Sequence, residues 1–179
     1  PEIAPTPVTQ DDLERLAYSF NDFGLRLLAR VATATSATRS VAVAPVAIAS
    51  ELALILKGAG GTTATTLAQV LHLDGAHGVH VNTIAGALLA ELQQADPAAS
   101  LLIANSLWVD QNFAVAPNFV SLARDQFAAY VGAIDSTAST TASDTINDWI
   151  RARTDGKIDK IATASIVNRA ALLLISAIY

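Results

Sequence analysis

Three glycines and two pairs of threonines, in the stretch GAGGTTATTLAQVL from Gly58 to Leu71, are the residues of this chain best suited to cradling a phosphate. A phosphate loop needs a lysine directly after its last glycine, to reach the terminal phosphates, and a β-strand before it. Here Thr62 follows Gly61, and the apolar segment ahead of Gly58 has helical spacing. The dinucleotide fingerprint also fails, because the third glycine position holds Thr63. A turn accounts for the stretch: Gly58 ends one helix with positive φ, Gly60 and Gly61 reverse the chain, and Thr62 caps the next helix.

Other chemistry-bearing residues are sparse. His77 and His80 are three apart on a segment read as loop, with only Asp74 nearby, short of the three or four convergent ligands a metal needs. His72, just after Leu71, marks a helix end. No G-x-S-x-G elbow occurs, and with no cysteine there is no thiolate nucleophile and no disulfide. Asp144, Asp148 and Asp159 are spaced as a solvated helix face and the loop after it. Trp108 and Trp149 sit in apolar patterns that belong to a core. No catalytic set, metal site or cofactor motif emerges, and the protein is expected not to be an enzyme.

Composition narrows the classes further. Over 179 residues, 52% are hydrophobic and 15% charged, enough for a sizeable core and far from a disordered composition. A net charge of −5 without a basic cluster argues against a nucleic-acid surface. Mean hydropathy is high, at +0.41. Yet the apolar stretch Pro45–Leu56 is too short to cross a bilayer and is interrupted by Ser50 and Glu51. Positions 1–10 carry neither the basic region nor the apolar core of a signal peptide. Methionine is absent, and the chain stops within its apolar run LLLISAIY. Both features lead to the expectation of a fragment.

The elements that must position these residues read as helices first and strands later. Apolar spacing predicts a helix over Asp11–Thr33, introduced by Thr9 and two aspartates. A short extended piece at Val41–Val43 precedes a central helix, Val46–Lys57, apolar on nearly every face. Helices follow at Thr63–Leu71 and Asn82–Gln94, with His72–Val79 between them as loop and Asp96-Pro97 as the stop. Then come a strand at Leu101–Val109, a helix from Pro117 to about Ala129, a strand at Val131–Ile134, a helix at Ser143–Arg153 ended by Asp155-Gly156, and a last strand, Leu172–Tyr179. This order predicts an α+β fold whose strands meet in one sheet.

Taken together, these blocks resemble the serpin family. The stretch from Ser40 to Leu73 is similar to the family's short strand, Ser-Pro and buried helix ending in Leu-Gly-Ala-x-Gly-x-Thr. The matching residues are Pro45, Ile48, Ala53, Gly58, Ala59, Gly61, Thr63, Gln69, Val70 and Leu71. IANSLWV (103–109), INDWI (146–150) with TDGKI (154–158), and LLLISAIY (172–179) look like further family blocks in the family's order.

The resemblance implies the N-terminal portion of a serpin: mostly helical, with strands of one large mixed sheet, cut before the reactive loop. Residues 1–179 would be one partial domain, with 1–10 a disordered or extended lead-in. It implies a whole protein that traps serine or cysteine proteases when its cleaved reactive loop inserts into the large sheet. The alternative is a non-inhibitory binding or carrier role. It also implies an extracellular or secreted protein without cofactor, nucleic-acid or membrane partner. A heparin-type site is not expected, since Asn82–Gln94 has no Lys or Arg. The family's hydrogen-bonded cluster that controls sheet opening falls on Ser40, Ala44, Ala47 and Ser176. Two alanines stand where the family has serines, and two serines where it has asparagines. That puts ordinary loop insertion in question.

Overall fold

The computed structural model describes residues 7–35, 39–73, 75–94 and 101–179, the side chains of 75–79 excepted. They fall into two compact units, divided between Glu91 and Leu92.

The first unit is helical. Helix α1, Gln10–Ala34, opens with a capping box: the Thr9 hydroxyl accepts from the Asp12 N–H at 3.2 Å, and the Asp12 carboxylate accepts from the Thr9 N–H at 3.0 Å. Its buried face carries Leu16, Phe20 and Phe23, and beside them Gly24 is buried so close to the Pro45 ring that a Cβ there would strike it. Helix α2, Pro45–Gly58, starts on a proline whose fixed φ suits the first turn, and it buries Ala47, Ala49, Ser50, Ala53 and Leu54. Ile48 is 38% exposed, so α2 is not buried on every face as its composition predicts.

Helix α3, Gly61–Val70, follows a connection that differs from the expected one. Gly58 is the last residue of α2, without positive φ; Gly60 is the N-cap, and Thr62 lies inside α3. Ala59 and Gly60 are both extended, so the reversal needs only one left-handed residue, and Gly61 supplies it at φ +56°. Helix α4, Gly75–Gln94, begins seven residues before Asn82, which corrects the loop expected over His72–Val79. Two glycines, two histidines and a valine make 75–80 a poor helix segment by propensity, and the buried apolar repeat Val81, Ile84, Ala85, Leu88, Leu89 follows it. The stop expected at Asp96-Pro97 lies outside the described residues.

The second unit holds β1 (Ile103–Asp110), α5 (Pro117–Phe127), β2 (Tyr130–Ile134), α6 (Ser139–Arg153), the single turn α7 (Ala164–Val167) and β3 (Leu172–Ile178). The strands share one sheet, as expected, and their order in it is β2-β1-β3. β1 runs parallel to β2 and antiparallel to β3, in register from Ile103 opposite Ile178 to Val109 opposite Leu172. Alternation along β3 turns Leu173, Ile175 and Ala177 toward the apolar clusters built with α6, around Trp108, Ile134, Ile146 and Val167 in one and Ile150 in the other. Gly132 lies opposite Trp108, where a Cβ would come within 2.6 Å of the indole. Helix α6 starts four residues before the expected Ser143 and ends where predicted. Gly156, at φ +72°, donates to the Arg151 carbonyl at 2.9 Å. No described helix is long and apolar enough to cross a membrane.

Candidate functional site

The four positions expected to control sheet opening divide between the units. In the first unit, Ser40 is exposed in the irregular stretch before α2, where residues 41–44 join no strand. Ala44 is the N-cap of α2 and offers no side-chain acceptor, so the first-turn N–H groups lack the capping bond that a serine hydroxyl supplies. Ala47, one turn in, is buried. An alanine at both positions makes this end of α2 apolar throughout.

Polarity reappears almost a full turn further on, at two residues legible in the sequence only as interruptions of an apolar run. The Ser50 side chain is buried, and its Oγ has no hydrogen-bond partner among the described residues. Beside it, Glu51 is mostly buried; its Oε2 also lacks a partner, and burial pushes the carboxyl up to about 8. The signal was a Ser-Glu pair inside a helix with no other polar residue between Pro45 and Leu56.

In the second unit, Ser176 of β3 sits opposite Asn105 of β1. Its hydroxyl donates to Asn105 Oδ1 at 2.6 Å, while Asn105 Nδ2 donates to the Phe127 carbonyl at 3.3 Å, where α5 ends. One residue along, the Ser106 hydroxyl donates to the Ile175 carbonyl at 3.2 Å and accepts from Trp108 Nε1 at 2.9 Å. Side chains thus cross-link β1 and β3 beyond the ladder, and Asn105 ties the seam to α5. Loss of either Asn105 or Ser176 leaves a buried polar group unpaired. Asn105 was legible only as part of the resemblance, since nothing in IANSLWV by itself singles out its partner.

The loop after α6 is fixed as firmly. Asn147 Oδ1 accepts from the Ile161 and Ala162 N–H groups at 2.9 Å each, and its Nδ2 donates to the Ala162 carbonyl at 3.0 Å. Thr154 accepts from the Ile158 N–H and donates to the Ile150 carbonyl. The INDWI and TDGKI blocks therefore do structural work. At the far end of β1, Asp110 accepts from Ser136 and Asn112 and is held below the usual carboxylate range, chiefly by the Ser136 hydrogen bonds.

Elsewhere the described ionisable groups form exposed pairs or face solvent. His72 takes a left-handed conformation at the end of α3 and meets Asp22 at 3.1 Å, with Arg26 against its ring. Ser19 donates to the His72 carbonyl, so the hydroxyl does not face the imidazole as a nucleophile facing its base would. His80 is exposed on α4, and no group of three metal-ligating side chains occurs among the described residues. Asp144, Asp148 and Asp159 are exposed, and the last two pair with Arg151. Trp108 is core, as expected, but Trp149 is only partly buried.

Comparison with known proteins agrees with this arrangement. The family described as Serpin (serine protease inhibitor) matches residues 18–179. The leukocyte elastase inhibitor of Xenopus tropicalis is 32% identical over 170 residues, 93% of this chain and 44% of that protein. The chain thus spans less than half the length of the relatives it matches. Among solved structures, maspin superposes with a TM-score of 0.83 at 23% identity, covering 95% of this chain and 45% of maspin. Human thyroxine-binding globulin does so with a TM-score of 0.82 at 20% identity, covering 94% of this chain and 45% of the globulin. At those identities the likeness is one of fold.

Proposed function

Because the chain belongs to the serpin family, we propose that the whole protein is an inhibitor of serine-type endopeptidases rather than an enzyme, and that residues 1–179 are part of its single serpin domain. Its reactive loop, outside these residues, is cleaved and then enters the large sheet as an added strand, carrying the acylated protease with it. The observation that carries this reading is the free side of β3. Residues 102, 104, 106, 108 and 110 form the hydrogen-bonded pairs with 179, 177, 175, 173 and 171. The N–H and C=O groups of Leu172, Leu174, Ser176 and Ile178 therefore point the other way, with no ladder partner among the described residues. Such an edge accepts a strand, and ladder bonds plus apolar burial drive the addition. Similarity to an elastase inhibitor supports a serine protease as target.

Within this reading Ser40, Ala44, Ala47 and Ser176 set how readily the sheet opens. Ser176 acts through its bond to Asn105, and the alanines remove polar contacts at the start of α2. The same alanines favour the second reading, a serpin fold in a non-inhibitory binding or carrier role, because they alter the polar positions that insertion relies on. The test is incubation of the full-length protein with a panel of serine proteases, elastases included, followed by denaturing electrophoresis. An SDS-resistant covalent complex is expected. Cleavage without complex across the panel overturns inhibition in favour of the second reading. Secretion, implied by the same kinship, is checked by finding the full-length protein in the medium rather than in the cell pellet.

A further inference from the structure

The second unit contains a cavity of about 390 Å³, walled by Gln93 at the end of α4, the start of β1, the junction of α5 with β2, and α6. The volume lies in the range of roughly 300–1,000 Å³ typical of small-molecule sites. Its walls divide by chemistry. On one side are flat apolar surfaces: Tyr130 and Trp149 stack at 5.4 Å between ring centroids with 28° between planes, and Leu102 adds aliphatic surface. On the other are two guanidiniums, Arg124 from α5 and Arg153 from the last turn of α6. Neither is paired with a carboxylate among the described residues, and no acidic side chain lines the cavity. The remaining polar wall residue of β1, Asn105, has already committed its amide to Ser176 and Phe127.

A guanidinium beside an aromatic face is a recurrent anion-receiving arrangement, because the ring holds the cation in place while its N–H donors stay available. Arg153 meets this description, its Cζ lying 5.8 Å from the centre of the Trp149 ring. Trp149 also carries a buried Nε1–H without a hydrogen-bond partner among the described residues. In a chain of net charge −5, two cations without a carboxylate partner among the described residues, at one cavity with an aromatic wall, form a local exception to the general field. Both arginines sit in the last turn of a helix, where a cation is favoured in any case, but the dipole explains neither the cavity nor its aromatic wall.

We propose that this cavity binds a small planar aromatic anion, its ring against Tyr130 and Trp149 and its carboxylate or sulfonate held by Arg124 and Arg153. Inorganic anions gain nothing from the apolar wall, and neutral ring compounds leave the guanidiniums unused. The site is independent of the β3 edge and of protease inhibition.

The experiment titrates the full-length protein with naphthalene-2-sulfonate, followed by calorimetry. Neutral 2-naphthalenemethanol and inorganic sulfate are run in parallel. The expected result is one site per chain, with both comparison compounds at least tenfold weaker. The double variant Arg124→Gln, Arg153→Gln is expected to bind at least tenfold more weakly, since each lost charged hydrogen bond contributes about tenfold. Arg30→Gln, on α1, should bind as the parent does. The proposal is overturned if the neutral compound or sulfate matches the sulfonate, or if the double variant retains full affinity. The comparison of the three compounds needs no substitution, so it decides the matter even if the variant misfolds.

Discussion

A carboxyl group whose buried Oε2 has no partner among the described residues, inside an apolar helix, is the least settled feature at the residue scale. Glu51 takes its raised pKa, from 4.5 to about 8, from burial alone. The folded chain therefore holds a proton that the unfolded chain has already released, and folding is favoured by this group at low pH. Its contribution is fully present below about 4.5, shrinks as pH rises, and levels off above about 8. Glu51→Gln removes the titration while keeping the shape. In the full-length protein, the variant's advantage over the parent is expected to grow from near zero at about pH 4.5 to on the order of 2–4 kcal/mol at about pH 9. Urea unfolding at several pH values measures it; a difference that does not change with pH contradicts the assigned cause. Ser50, next to it, carries no charge and should leave that pH dependence unchanged.

Elements were legible from the chain to the degree that apolar repeats and caps mark them. Helix α1 was readable because Thr9 and Asp12 bracket its start and Leu16, Phe20 and Phe23 repeat along one face. The start of α4 was hidden, since Gly75–His80 has no apolar repeat and two glycines, and is drawn into the helix by the apolar residues after it. α7 is a single turn, below what periodicity detects. The pairing of Asn105 with Ser176, and the cavity at Trp149, join residues distant in sequence, and no local pattern encodes them. Gly132 belongs to the same class: YVGAI reads as a strand, but only the register opposite Trp108 explains its glycine. A methyl group there meets the indole at 2.6 Å and the Tyr130 ring at 2.8 Å. Gly132→Ala should therefore lower stability by roughly 1–3 kcal/mol through overpacking. Gly60→Ala, with nothing within 4 Å of the added methyl, is the control that separates this clash from a general loss of glycine. A midpoint for Gly132→Ala no lower than that of Gly60→Ala would remove the packing account of β2.

At the scale of the molecule, the decisive property is a sheet whose β3 side is unpaired among the described residues. An edge that can take an inserted strand can equally take a strand from another copy of the chain, since ladder bonding does not distinguish the two. The 179-residue chain studied by itself should thus associate as its concentration rises. Backbone geometry supplies a selective probe. Leu174 turns its N–H outward from β1, whereas Leu173 lies opposite Trp108 in a hydrogen-bonded pair. Proline at 174 therefore leaves the β1 ladder intact while removing a donor from the open side; proline at 173 breaks the ladder itself. Sedimentation velocity is expected to show Leu174→Pro shifted toward the monomer with the parent's circular dichroism, and Leu173→Pro largely unfolded. If Leu174→Pro keeps its fold and still associates like the parent, the β3 edge is not the surface through which copies meet. The strand-insertion reading of the whole protein then loses its physical basis at the same place.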